Sequence, residues 1–269
     1  MSRRRKRQKT SNILPIAIIV AVLVILGIFI FQYTKAVQNK IETDSANNCR
    51  SDGVFPRDTV VLIDATEAVS PTQLLSLSNQ LDSVIRDSMI HERFTVYFLR
   101  DDPKKFQPKL LVCNPGTGQD LSPATNNLPK LLRTWRDSFQ SPLKNTLKGL
   151  DEVLPSTSSP IMEMLKYVGL TTFDRSESTY KRLILISDMV EHTDSYSQYR
   201  NKNLDFKSLS QTQYFREMRP SLRDVVVNLW YLERNKLSEI QGTDHIDKLW
   251  VPFVRKSGGQ VIQPITQIN

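Results

Sequence analysis

Four oxygen-bearing side chains stand out because of where they lie relative to apolar runs. Asp64 ends the run TVVLID, and Asp188 follows the run LILIS. Thr66 lies two residues beyond the first run, and Ser159 opens a segment with helical spacing. Carboxylates, hydroxyls and water are the ligands that Mg²⁺ accepts, about six oxygens at about 2.1 Å. The four side chains therefore predict a cation site if the fold brings them together.

The elements that must position these residues alternate between short apolar runs and longer amphipathic segments, which is typical of βαβ units. We predict an α/β fold with a Rossmann-like, doubly wound, mostly parallel six-stranded sheet. Parallel sheets bind ligands at the carboxyl ends of their strands, near the point where strand order reverses. We expect the first and fourth strands to be neighbours there, so that Asp64 and Asp188 converge. The predicted strands are residues 59–65, 93–99, 109–113, 181–187, 225–232 and 259–264, and the predicted helices are residues 71–90, 128–154, 159–168, 208–218 and 244–256.

This arrangement resembles the von Willebrand factor A domain, whose metal-ion-dependent adhesion site has the motif D-x-S-x-S in the first strand-helix loop. The corresponding stretch here reads DATEA, with Asp64, Thr66 and Ala68 at the three motif positions. Ser159, in SSPIMEML, takes the place of a threonine from a second loop, and Asp188 that of the aspartate after the fourth strand. The resemblance spans roughly residues 55 to 265.

The resemblance implies a bound Mg²⁺ or Mn²⁺ with one coordination position left for a carboxylate of a partner protein. Asp64, Thr66 and Ser159 would then hold the ion directly, and Asp188 either directly or through water. Ala68 departs from the motif because it lacks the expected hydroxyl ligand. Either a water replaces that ligand or the site has no metal.

The N-terminus predicts a membrane anchor. The uncharged run from residue 13 to residue 31 covers 19 residues, close to the roughly 30 Å hydrocarbon core at about 1.5 Å per residue. A cleavable signal peptide is the alternative, but no small-x-small cleavage site follows directly. Basic residues beside a first span resist translocation, so we expect a cytoplasmic N-terminus and a periplasmic or extracellular C-terminal domain on a single-pass inner or plasma membrane protein. The predicted parts are a basic tail (1–12), the span (13–31), a stalk (32–54) and the domain (55–269).

Charge and cysteine content narrow the function classes further. Of the formal net charge of +8, six units belong to the tail, which leaves +2 for the rest (8 − 6). The basic run is explained by membrane orientation, so nucleic acid is not an expected partner. Cys49 and Cys113 are the two cysteines, and an exported location would let them form a disulfide, the alternative being two unpaired buried thiols.

A long connection follows the fourth predicted strand, at about residues 189–223. Its aromatic and basic residues have the composition of an interaction hot spot, although a solvated loop is the default interpretation. We expect it to contribute a partner-binding surface beside the cation site, formed by Tyr196, Tyr199, Arg200, Tyr214 and Phe215.

Other interpretations of these residues remain open. Strand-end aspartates also serve as simple caps. His91, His192 and His245 show no zinc-ligand spacing, and Glu67, Glu191, His192 and Asp194 are expected to be solvated loop residues. The chain has no G-x-S-x-G motif and no glycine-rich phosphate loop, so we expect no enzyme and no small-molecule substrate. The predicted function is a protein-binding module in a membrane or envelope assembly; the alternatives are a metal-free scaffold and, less well supported, a metal-assisted phosphoesterase.

Overall fold

The computed structural model describes residues 13–38, 41–100, 106–123, 125–201 and 204–269. The chain divides into two compact units, Met1–Glu42 and Thr43–Asn269. In the first unit, helix α1 spans Ile13–Gln38 and therefore continues past the predicted limit of the span into the predicted stalk. Its Ala17–Thr34 part is long and apolar enough to cross a membrane. A signal sequence near the N-terminus would have the same length and composition. The predicted basic tail lies outside the described residues.

The second unit is built on a mixed, mostly parallel sheet with the strand order β3-β2-β1-β4-β5-β6. This is the doubly wound Rossmann-like arrangement expected from the sequence. Strand β3 runs antiparallel to β2. A seventh strand, which we did not predict because it has only three residues, pairs with the end of β5. The strands are β1 Arg57–Asp64, β2 Arg93–Leu99, β3 Leu110–Cys113, β4 Tyr180–Ser187, β5 Val225–Leu232, β6 Gln260–Val261 and β7 Thr266–Ile268.

Helices cover both faces of the sheet. Helix α2, Pro71–Arg86, begins as predicted, with Pro71 in its first turn and Ser70 and Gln73 forming a capping box, which satisfies amides that the helix itself leaves free. The predicted helical segments near residues 128–154, 208–218 and 244–256 are each divided into shorter pieces. The remaining helical elements are α3 Leu128–Trp135, a π-helical turn Arg136–Gln140, α4 Ser141–Asn145, α5 Ile161–Val168, a π-helical turn Gly169–Phe173, α6 Phe206–Ser210, α7 Gln213–Met218, a 3₁₀ turn Asn235–Leu237, a π-helical turn His245–Trp250 and α8 Val251–Lys256.

Two apolar cores lie on opposite faces of the sheet. Along β1, Val60 and Leu62 belong to one core and Val61 and Ile63 to the other. This alternation explains why the strand is apolar throughout, because a parallel sheet covered by helices is buried on both faces. The helix face with Leu77 fills one core, whereas helices α5 and α8 fill the other.

A disulfide joins Cys49 to Cys113, with the Sγ atoms 2.09 Å apart, as predicted. Beside it, the Cys113 amide donates to the Asn47 carbonyl at 2.8 Å, and Asn48 Nδ2 donates to Ser138 Oγ at 3.0 Å. The segment from Thr43 onward therefore belongs to the folded unit. The folded unit begins earlier than the predicted residue 55, which rests on the polar composition of residues 32–54.

Candidate functional site

The two strand-end aspartates meet at one edge of the sheet. Asp64 is the last residue of β1, and Asp188 directly follows β4. The two strands are parallel neighbours, with Ile63 opposite Ile186. The chain winds from β1 toward β2 on one side and from β4 toward β5 on the other, so this is the point where strand order reverses. We call this edge the rim, defined by Asp64, Thr66, Ser159 and Asp188.

Asp64 is held by hydroxyl groups. Its Oδ1 accepts hydrogen bonds from the Thr66 amide at 3.0 Å and from Thr66 Oγ1 at 2.6 Å. Its Oδ2 accepts from Ser187 Oγ at 2.7 Å and from Ser159 Oγ at 3.4 Å. The structure thus brings Thr66 and Ser159 to Asp64, and it adds Ser187, which sequence reasoning missed. The position of Ser187 at a strand end could have indicated it.

The rim buries two acids in the same place. Burial is the main cause that raises the pKa of Asp64, and hydrogen bonds from Thr66 and Ser187 oppose it. Burial, followed by the charge of Asp64, raises the pKa of Asp188 to about 7. Asp188 Oδ1 accepts from the Val190 amide at 3.0 Å. Carboxyl groups with such raised pKa values are typical of functional sites, although structural ones also occur.

Arg234 supplies a positive charge at the rim. Its Nε lies 3.9 Å from Asp188 Oδ2, and its side chain is only 12% exposed. Its Nη1 donates to the carbonyl oxygen of Ala68, the residue at which the motif lacks a hydroxyl. Sequence reasoning missed Arg234, although it follows the end of β5 by two residues, just as Thr66 follows β1.

These surroundings bear on a bound cation in two opposite ways. The carboxylate and hydroxyl oxygens of Asp64, Thr66, Ser159 and Asp188 are of the type that Mg²⁺ and Mn²⁺ accept. The guanidinium of Arg234, however, is a fixed positive charge beside Asp188, and it repels a second cation. Within the described residues, no group of three His, Cys, Asp or Glu side chains is placed to hold a metal.

The connection after β4 packs into the core instead of forming an open surface. Tyr196, Tyr214 and Phe215 are 7%, 7% and 5% exposed, and the rings of Tyr196 and Tyr214 stack at 5.4 Å. The prediction that these three bind a partner is wrong, because their rings fill the core beside α5 and α8. Tyr199 and Arg200 are exposed, and their partner-binding role stays a prediction.

Tyr199 lies within electrostatic reach of the rim. Burial and then the charges of Asp188, Glu67 and Asp64 raise its pKa to about 12. Its ring contacts the ring of His192, with centroids 5.2 Å apart. His192 in turn pairs with Ser159, so Tyr199 lies beside the rim.

Glu191 anchors the connection. It is fully buried rather than solvated as expected, and burial raises its pKa to about 8. Its Oε1 accepts from Tyr214 Oη at 2.5 Å, and its Oε2 accepts from the Met162 amide at 2.8 Å. Next to it, His192 and Ser159 exchange backbone hydrogen bonds at 2.7 and 3.0 Å. The connection is thereby fixed to the segment that carries Ser159.

No protein-family model and no curated protein sequence matches the chain. Among solved structures, the chain is similar to the human COPII-coat protein Sec24c, with 11% sequence identity and a TM-score of 0.42. The match covers 84% of this chain but only 31% of the Sec24c chain.

Proposed function

We propose that this protein is a membrane-anchored module that binds a partner protein in a membrane or envelope assembly, through the rim of a von Willebrand A-like domain. The observation that carries the proposal is the convergence of two buried carboxyl groups, Asp64 and Asp188, at the switch point of the sheet. Burying two acids close together costs free energy, and apolar or singly acidic side chains at this edge would avoid that cost. We propose binding rather than catalysis, and a phosphatase screen of the purified chain tests the enzymatic alternative.

The proposed topology is a single-pass inner or plasma membrane protein with its N-terminus in the cytoplasm. Helix α1 supports this proposal because its Ala17–Thr34 part is long and apolar enough to span a bilayer. The disulfide between Cys49 and Cys113 supports a periplasmic or extracellular domain, since such bonds persist in oxidising compartments.

In one form of the proposal the rim holds Mg²⁺ or Mn²⁺. Asp64, Thr66, Ser159 and Asp188 would be its ligands, and the ion would supply a Lewis-acidic position for a carboxylate of the partner. In this form the hydroxyls of Thr66 and Ser159 orient Asp64 through the hydrogen bonds described above.

In the second form the rim is metal-free and Arg234 supplies the positive charge. This form is favoured by the hydrogen bond from Arg234 to the Ala68 carbonyl. The hydrogen bond places the guanidinium beside the residue that lacks the metal ligand, so its positive charge would take the place of the ion. The partner would contact the exposed side chains of Tyr199 and Arg200 beside the rim.

Affinity capture of partners from solubilised membranes tests the proposal, with the full chain as bait. We expect Asp188→Asn to abolish capture of a partner that the parent chain retains. Asp194→Asn is the matched control, because Asp194 is an exposed acid in the same connection. Equal capture by both variants would contradict a role for the rim. Repeating the capture with chelator separates the two forms, since only the metal-dependent form loses its partner.

A further inference from the structure

The other end of the sheet carries a basic cavity that the proposed function does not use. Its volume is about 390 Å³. Five of the residues that line it are cationic, and among the described residues no carboxylate lines it. The five, which we call the basic cluster, are Lys166, Arg219, Arg223, Arg255 and Lys256.

The basic cluster lies where parallel strands begin. Arg223 lies two residues before β5 and Arg219 six residues before it, and Arg255 and Lys256 end α8 just before β6. Close packing fixes these segments against one another: a Cβ on Gly169 would lie 2.6 Å from the Ser221 carbonyl oxygen. The cluster is therefore held by a rigid framework at the end opposite the rim.

The cations of the cluster are not neutralised by the fold. Arg219, Arg223, Arg255 and Lys256 are exposed, and within the described residues none of them forms an ion pair. The Lys166 ammonium donates to the Glu217 carbonyl at 2.7 Å. Cations in the last turn of a helix are favoured by the helix dipole, which accounts for Lys166, Arg255 and Lys256. It does not account for the two arginines before β5.

Acidic residues occur near the cluster but outside the cavity. Asp174 accepts a hydrogen bond from Ser221 Oγ at 2.8 Å, and Asp224 is exposed beside Arg223. The five cations of the lining therefore still form a local excess of positive charge. Such an excess favours an anionic ligand with several phosphate groups.

Exposed apolar side chains lie at the starts of other strands at this end of the sheet. Val54, Met89 and Ile90 precede β1 and β2 and are exposed, as are Leu170 beside the basic cluster and Tyr180 at the start of β4. Cations together with exposed apolar and aromatic side chains are typical of surfaces that lie at a membrane interface. A site for free phosphate has no use for the apolar side chains.

The first residues of the second unit lie at this end of the sheet. The segment that follows Thr43 is attached through Cys49 to Cys113, and Cys113 lies opposite Arg93 at the start of β2. Neighbouring strands are about 4.8 Å apart, so the starts of β1, β4 and β5 all lie within about 20 Å of this attachment. Only residues 39–42 separate helix α1 from the second unit.

We propose that the basic cluster binds the phosphate groups of anionic phospholipids in the membrane. This inference rests on the membrane anchoring in the proposed function. The ligand class is the phosphodiester headgroup of lipids such as phosphatidylglycerol.

The test uses the full chain in lipid nanodiscs. One set contains phosphatidylcholine with a trace of photoreactive phosphatidylcholine, and the other contains about one third phosphatidylglycerol with a trace of its photoreactive form. Mass spectrometry maps the crosslinks. We expect crosslinks near residues 219–223 and 255–256 in the anionic discs, at least about tenfold more than in neutral discs, because each surface cation contributes about 1 kcal/mol to such binding.

Two triple variants sharpen the test. Arg219→Gln, Arg223→Gln and Arg255→Gln together should reduce these crosslinks to the level of neutral discs. Lys148→Gln, Lys236→Gln and Lys248→Gln remove the same charge from exposed positions outside the cluster and should leave the crosslinks unchanged. Equal crosslinking in both lipids, or equal loss in both variants, would overturn the proposal.

Two further outcomes identify the cause of a failure. Stabilisation of the parent chain by inorganic phosphate, without anionic-lipid crosslinks, would show a free-phosphate site and overturn the lipid assignment. If the full chain does not co-purify with neutral discs, the anchoring itself is refuted. If it co-purifies but its domain gives no crosslinks in anionic discs, this inference alone is refuted.

Discussion

Buried acids at the two ends of the sheet differ in how closely arginine side chains neutralise them. At the amino end, Glu92 is fully buried between two arginines, with Arg57 Nη2 at 2.5 Å and Arg182 Nη2 at 2.8 Å. The neighbouring acid, Asp58, pairs with Arg93. At the rim, Asp64 and Asp188 have one arginine between them, at 3.9 Å from Asp188.

This difference indicates that the amino end holds a structural ion cluster and that the rim is a candidate functional site. Three guanidinium groups neutralise two carboxylates at the amino end, where the acids gain partners as they lose water. The rim acids lose water with less compensation, and the pKa of each is raised. A protein keeps such an arrangement at a cost to stability when another molecule completes it.

The largest effect is expected at the amino end. Glu92→Gln leaves the partly buried Arg57 and Arg182 without their fully buried carboxylate, so the free energy of unfolding should fall by about 3 to 5 kcal/mol. Denaturant unfolding of the detergent-solubilised full chain measures it, with the exposed Glu239→Gln as control. If the free energy of unfolding falls by less than about 1 kcal/mol, the ion cluster at the amino end does not stabilise the fold, and the two ends do not differ in the proposed way.

A gain of metal binding at the rim is the next largest effect. Ala68→Ser combined with Arg234→Gln restores the missing hydroxyl and removes the competing cation. Mg²⁺ at a concentration a hundredfold above its Kd should then stabilise the double variant by about 2.7 kcal/mol. Titration calorimetry and thermal unfolding measure the binding. If Mg²⁺ stabilises the parent chain equally, Arg234 does not replace the ion.

Glu191, a buried carboxyl group outside both ends of the sheet compared above, predicts a pH dependence. Its pKa is about 8 in the folded chain, against about 4.3 in an unfolded one, so between these values the folded state binds more protons. Stability therefore falls as pH rises through this window, by at most about 1.4 kcal/mol per pH unit. Glutamine mimics the protonated acid, so the stability of Glu191→Gln relative to the parent should rise from pH 5 to pH 8.

The control for this prediction is the exposed Glu239→Gln, whose stability relative to the parent should not change over the same pH range. Comparison with the parent cancels the titration of all other groups. A flat difference for Glu191→Gln as well would mean that Glu191 is ionised in the folded chain.

Sequence reasoning located the rim because its signals are local. The runs that end in Asp64 and Asp188 are apolar on both faces, and the βαβ pattern makes their strands neighbours. Ser187 and Arg234 also lie at or just after strand ends, but their hydrogen-bond and charge partners at the rim depend on which side chains meet after folding.

For the connection after β4, composition predicted an exposed surface where the structure has a buried one. Tyr196, Tyr214 and Phe215 have the composition of a binding hot spot, but the same residue types also fill cores. The buried Glu191 accepts hydrogen bonds from Tyr214 and from the Met162 amide of α5, and so holds the connection against α5. A buried acid in a polar segment looks the same in sequence as a solvated one, so the sequence did not distinguish the two cases.

The central claim is that the rim acids are held at a cost to stability, unlike those at the amino end. Replacing Asp188 with Asn tests it most directly, because the amide keeps an acceptor for the Val190 amide but removes the buried charge. We predict that the free energy of unfolding of the full chain at pH 7 rises by about 1 kcal/mol, since the repulsion from Asp64 and the burial of a charge are relieved. A fall of 1 kcal/mol or more would show that Asp188 and Arg234 form a stabilising structural pair, and it would contradict the account.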